Sequence, residues 1–264
     1  LATRLSTPGD SWIVDNRAGA ETMIGSEHVA QSPADGRTVL VAGVTVVLAP
    51  LMRKTQLAPD SLRPVVQVSY SNFMLVVPAQ SPVASAADLA NAAAASPNGL
   101  NCGAPPGPMG FGCTQLSQRL GGKVASIPYP GVAPAVNAVL GGHVDMLMVS
   151  AESVVKLVET GRVRAIAASS PVAGMKVPLM PDLWPGFAME GFIGLFVPAG
   201  TPDSEVQRLS AAVNRALADP AFAAIMRDAG QEPVGGSPDD FAAKVSRTRG
   251  IYRDLLPRLG IEPR

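Results

Sequence analysis

Cys102, Cys113, His28 and His143 are the scarce reactive side chains of this 264-residue sequence, and they bound the chemistry it can do. A zinc site gathers about four thiolate, imidazole or carboxylate ligands. These residues are scattered, so no metal is expected. His28 follows Glu27 without the second histidine of a His-Glu-x-x-His pair, and it reads as a helix-surface or interface residue. His143, in Gly141-Gly142-His143-Val144, reads as a solvated turn residue. A nucleophile elbow needs glycine two positions before the nucleophile, and Phe111 stands there before Cys113. No catalytic residue is therefore named, and the chain is not expected to be an enzyme. Cys102 and Cys113 bracket a glycine-rich loop. They are either two buried free thiols or, in an oxidising compartment, a disulfide whose ring contributes about 3 kcal/mol of chain entropy.

Backbone groups offer a different chemistry, the capture of an anion. Gly103-Ala104-Pro105-Pro106-Gly107-Pro108-Met109-Gly110 fixes a loop whose N–H groups face the start of the next helix, where an anion is favoured; the alternative is a rigid connector. Within it, Gly110-Phe111-Gly112 resembles half a dinucleotide fingerprint. Gln115 stands where the third small residue belongs, so no cofactor is expected. Tyr129-Pro130-Gly131-Val132-Ala133-Pro134 repeats the strand, turn and helix-start device. Ala42-Gly43-Val44-Thr45 ends another strand, where open α/β sheets bind ligands. Thr45 is the hydroxyl there, either a cap or a ligand contact.

These loops need strands and helices to hold them. Short β-branched runs alternate with helical spacing: strands are expected at 12–15, 38–42, 65–68, 74–77, 100–102, 126–129, 145–149, 163–167 and 193–198. The run 38–42 has the composition of a strand buried on both faces of a parallel sheet. Helices are expected over 23–30, from a Ser85 cap to about 96, and over 111–120, 133–140 and 150–160. Further helices begin at a Thr201 cap with Pro202 in the first turn, at Asp219-Pro220 and at Ser237-Pro238. The result is two α/β lobes.

Composition narrows the class. Lys+Arg 21 and Asp+Glu 21 cancel, and charged residues are 16%, below the usual ~25%, so no nucleic-acid partner is expected. The apolar run 39–52 is shorter than the ~18 residues of a membrane span. Gly 26 and Pro 25 indicate a globular chain with many sharp turns. Residues 1–6 lack the pattern of a secretion signal. Thr7-Pro8-Gly9-Asp10 reads as the end of a helix whose beginning is not in the sequence.

Val14-Asp15-Asn16-Arg17-Ala18-Gly19-Ala20, Pro33-Ala34-Asp35-Gly36, Pro128-Tyr129-Pro130-Gly131, Leu140-Gly141-Gly142-His143-Val144-Asp145, Gly194 to Pro202, Asn214 to Pro220 and Pro233 to Pro238 resemble the Bug family. These are periplasmic solute-binding receptors of the tripartite tricarboxylate transporter type. The resemblance implies a two-lobed periplasmic-binding-protein fold, type II-like, with a ligand cleft between lobes joined by two crossing strands. Lobe 1 is expected at 1–98 plus 193–264 and lobe 2 at 99–192. It further implies a first strand and a ligand loop ahead of residues 1–6. The family's small polar residues in the second-lobe loop are replaced here by Gly107-Pro108-Met109-Gly110-Phe111, and Val149-Ser150 stands where many relatives carry an acid. An ammonium then lacks a charged acceptor, so an anionic ligand with an apolar body is expected.

The expected contacts are Gly43, Val44 and Thr45 from the first lobe, and Gly107, Met109, Gly110, Gly131, Val132, Ala133 and Ser150 from the second. Thr45 and Ser150 would give side-chain hydrogen bonds, and the others backbone or van der Waals contact. The expected function is capture of a small carboxylate in the periplasm and its delivery, by a monomer, to the membrane subunits of a tripartite transporter. The alternative is a receptor-like sensing or interaction domain that no longer serves transport. A regulator's effector domain would need an attached helix-turn-helix, which the sequence lacks.

Overall fold

Apolar runs too short for helices became strands in the computed structural model, which describes residues 1–6, 9, 11–17, 19, 22–52, 55, 57–58, 60–105 and 107–261. Thr7, Pro8 and Asp10 of the expected helix end, and Ala18 and Ala20 of the turn at 16–20, lie outside the described residues. The chain divides into two units. One holds Leu1–Ser71, Gly191–Asp228 and Glu232–Arg264, the other Asn72–Glu190 and Ala229–Gln231.

The first unit opens with α1 (Ala2–Leu5), α2 (Met23–Ala30), β1 (Leu40–Gly43), α3 (Thr45–Met52) and β2 (Leu62–Tyr70). The second unit follows with β3 (Phe73–Pro78), α4 (Ala86–Ala95), β4 (Leu100–Ala104), α5 (Pro108–Arg119), β5 (Val124–Pro128), α6 (Val132–Leu140), β6 (Met146–Ser150), a 3-10 turn (Ala151–Ser153), α7 (Val155–Glu159), β7 (Val163–Ala168) and α8 (Met180–Leu183). The first unit resumes with β8 (Phe192–Pro198), α9 (Asp203–Ala218), α10 (Pro220–Asp228) and α11 (Pro238–Arg258).

In the first unit β8 is the middle strand of the sheet β1-β8-β2, antiparallel to both neighbours. Successive side chains of a strand point to opposite faces, and β8 uses both. Leu195 and Val197 join Val65, Val66 and Val68 of β2 against Val206, Leu209, Val213 and Leu217 of α9, which recur at helical spacing. Phe192 and Phe196 pack instead on Phe241 of α11, with ring centroids 5.3 and 5.2 Å from it. Gly194 lies between them, and a Cβ there would collide with the Phe241 ring.

The second unit is a three-layer sandwich around the mixed sheet β5-β4-β6-β3-β7. Phe73, Leu75 and Val77 of β3 and Met146 and Met148 of β6 face one core with Leu89 of α4 and Leu116 of α5. Met74 and Val76, with Leu147 and Val149, face the other with Ala135, Ala138 and Val139 of α6. Both faces are covered, which explains the unbroken apolar runs.

Several expectations are corrected. Residues 72–98 belong to the second unit, because β3 is an inner strand there, antiparallel to β6 and β7. Residues 12–15 form no strand; Ile13 and Val14 are 89% and 67% exposed and bury too little apolar surface to hold one. The strand expected at 38–42 is β1, an antiparallel edge strand with Val41 56% exposed, not a doubly buried parallel one. The helix expected at 150–160 is divided into the end of β6, the 3-10 turn and α7, with Val154 at φ −128° breaking the helical path. α3 was not foreseen, since its apolar, β-branched sequence also suits a strand. Thr201 is not a cap: Pro202 is the N-cap of α9, and the Thr201 hydroxyl is buried without a hydrogen-bond partner among the described residues.

Candidate functional site

The candidate loops of the second unit share one end of its sheet. β4 is parallel to β5 and to β6, so Gly107 to Gly110 after β4, Gly131 to Ala133 after β5, and Ser150 at the end of β6 all lie at carboxyl ends of adjacent strands. That is where open α/β sheets bind ligands. Gly107 is the N-cap of α5 at φ 84°, a conformation suited to glycine, and Pro108 fills the first helical position. Gly131, extended, is the N-cap of α6, and its carbonyl accepts from Ala135 at 3.4 Å. The first N–H groups of both helices have no acceptor within the helix. Met109 is half-buried and packs against both core clusters. The Gly110 carbonyl accepts from the Thr114 hydroxyl at 3.1 Å. Val132 is half-buried and Ala133 exposed. The Ser150 and Ser153 hydroxyls lie 2.8 Å apart.

Cys102 of β4 and Cys113 of α5 are joined as a disulfide, with Cα atoms 5.9 Å apart and both side chains fully buried. The bond ties the strand to the helix at the two ends of the segment that carries Gly107, Met109 and Gly110.

In the first unit Gly43 ends β1 opposite Ile193 of β8, and a Cβ on it would approach the Phe192 carbonyl to 3.3 Å. Val44 is buried, and its carbonyl accepts from Val47 and Leu48, so it acts as the cap of α3. Thr45 opens that helix, its hydroxyl 2.9 Å from that of Thr22.

None of these residues ionises. Whatever charge they present comes from oriented N–H groups and hydroxyls, which suits an anion or a neutral oxygen acceptor. Four polar neighbours were missed in the sequence: Thr22, Ser153, Asn72 and Ser169. Asn72 is buried, with its amide donating to the Pro171 carbonyl at 2.9 Å, and the Ser169 hydroxyl accepts from the Phe73 N–H at 2.9 Å. The N-terminus of β3 and the C-terminus of β7 bring these two to the Ser150 end of the sheet, a juxtaposition that needs the strand order to be known. His28 and His143 are both exposed and outside these loops.

An α/β chain in two units, with helix starts and hydroxyls at strand ends, has the architecture of the periplasmic-binding-protein fold class. Residues 3–254 match the tripartite tricarboxylate transporter family receptor, and the chain belongs to that family. It is similar to the protein of the tcbD-tcbE intergenic region of Pseudomonas sp. (strain P51), 32% identical over 89% of this chain and 72% of that one. Among solved structures it resembles R. palustris Rpa4515 with adipate, at 26% identity and TM-score 0.86, covering 100% of this chain and 91% of that one. It also resembles the periplasmic binding protein BugD, at 25% identity and TM-score 0.82, covering 99% and 90%. The family is one of transporter receptors, and one of these neighbours is a periplasmic binding protein. Among the described residues no helix is long and apolar enough to cross a membrane.

Proposed function

We propose that this chain captures a small carboxylate in the periplasm and delivers it to the membrane subunits of a tripartite tricarboxylate-type transporter. It acts as a monomeric receptor and not as an enzyme. One observation carries this reading: the starts of α5 and α6 and the Ser150 hydroxyl share the carboxyl end of three adjacent parallel strands. They bring hydrogen-bond donors to one place. The bound adipate of the R. palustris neighbour supports the choice of a carboxylate.

Gly107, Met109, Gly110, Gly131, Val132 and Ala133 supply backbone N–H groups and apolar contact, and Gly43 and Val44 do the same from the first unit. Thr45 and Ser150 donate through their hydroxyls. A hydrogen bond to a charged group contributes about 1.5–3 kcal/mol. Thr45→Ala and Ser150→Ala are therefore expected each to weaken adipate binding by roughly tenfold or more in isothermal titration. Unchanged affinity in both variants would remove the hydroxyls from the site.

A further inference from the structure

Thr22, the N-cap of α2, has φ 75°, and among the described residues no other non-glycine has a positive φ. For a β-branched residue the left-handed region is a genuine outlier, since the side chain crowds the following carbonyl. Such strain persists where the surroundings hold it, and it gathers at functional sites. Two contacts hold it here. The hydroxyl of Ser26, itself fully buried, donates to the Thr22 carbonyl at 3.0 Å. The Thr22 hydroxyl lies 2.9 Å from that of Thr45. Glycine at this position would keep the backbone without strain, yet it would leave the Thr45 hydroxyl without its neighbour.

We infer that Thr22 is a positioning residue that aims the Thr45 hydroxyl at the ligand, an inference resting on the carboxylate-receptor function proposed above. One hydroxyl of the pair donates to the other. With Thr22 as donor, the Thr45 oxygen is already engaged as an acceptor and its own proton is left to point outward. Hydroxyls in series polarise one another, so the pair is a stronger and better-fixed donor than a lone threonine. The group it selects is an anionic oxygen acceptor.

The test measures the thermal midpoint and the affinity for adipate of Thr22→Gly and Thr22→Ser beside the unaltered protein. Thr22→Gly is expected to melt about 2 °C higher, because release of backbone strain outweighs one exposed hydrogen bond. The same variant is expected to bind adipate roughly tenfold more weakly. Thr22→Ser keeps the hydroxyl and is expected to bind within about twofold of the unaltered protein. A merely structural residue would not move stability and affinity in opposite directions. Thr22→Gly binding as tightly as the unaltered protein overturns the inference. So does Thr22→Ser binding as weakly as Thr22→Gly, or a midpoint lowered by glycine. An unaltered protein that binds neither adipate nor any other carboxylate overturns the underlying function, and the inference with it.

Discussion

Thr201 holds a buried hydroxyl that no group among the described residues engages, although its carbonyl accepts from Arg63 at 3.2 Å. An unpaired buried hydroxyl costs about 1–3 kcal/mol. Valine has nearly the same shape and nothing to satisfy. Thr201→Val is therefore expected to raise stability by about 1 kcal/mol and the thermal midpoint by about 2–4 °C, measured by urea and thermal melts; a destabilised variant would mean that the hydroxyl is engaged after all. The same residue shows where sequence reasoning stops. Thr-Pro-Asp-Ser-Glu has the composition of a helix entry, and a helix does begin there, but which way the threonine side chain turns depends on packing far away in the chain. Thr45 was legible as the hydroxyl after a strand. Its partner Thr22 was not, because nothing local in the sequence requires a positive φ at a threonine.

At the scale of elements, helix starts were the most legible features, since caps are local chemistry. Ser85 accepts from the Asp88 N–H and Ser237 from the Asp240 N–H, the latter in a full capping box. Each carboxylate is held below its ordinary value of 3.8. For Asp88 the cause is first the Ser85 hydroxyl and then the Ala84 N–H. For Asp240 it is the Ser237 hydroxyl and then the Ser237 N–H. Asp219, at the start of α10, is lowered first by the Phe222 N–H, with Arg4 adding charge attraction. All three bind a proton less readily in the folded than in the unfolded chain. Their contribution is thus complete above the unfolded value near 3.8 and is lost as pH falls through the lower folded values. The thermal midpoint is expected to fall more steeply below about pH 4, and replacing all three with asparagine to flatten that fall; an unchanged slope would show that these caps do not couple to folding. Strand existence was largely legible too, but strand environment was not. The run 38–42 looks doubly buried, and it is an edge strand because only β8 pairs with it among the described residues.

For the molecule as a whole, the order of elements announced two α/β lobes, while the boundary between them depended on pairing across long separations. β3 follows β2 after two residues, so sequence placed both together; its partners β6 and β7 lie about 70 to 90 positions further along, and hydrogen bonding to them assigns it to the second unit. The same nonlocal order brings the starts of α5 and α6 and Ser150 to one end of one sheet, on which the proposed carboxylate function depends. That function is tested most directly by thermal melts of the protein with adipate and with its diamide, adipamide. A ligand at about 100 times its dissociation constant adds roughly 2.7 kcal/mol, or about 5–10 °C for a chain of this size. The account predicts that rise with adipate, or with another member of a carboxylate panel, and none with the matching amide. An equal rise with the amide, or no rise with any carboxylate, would contradict it.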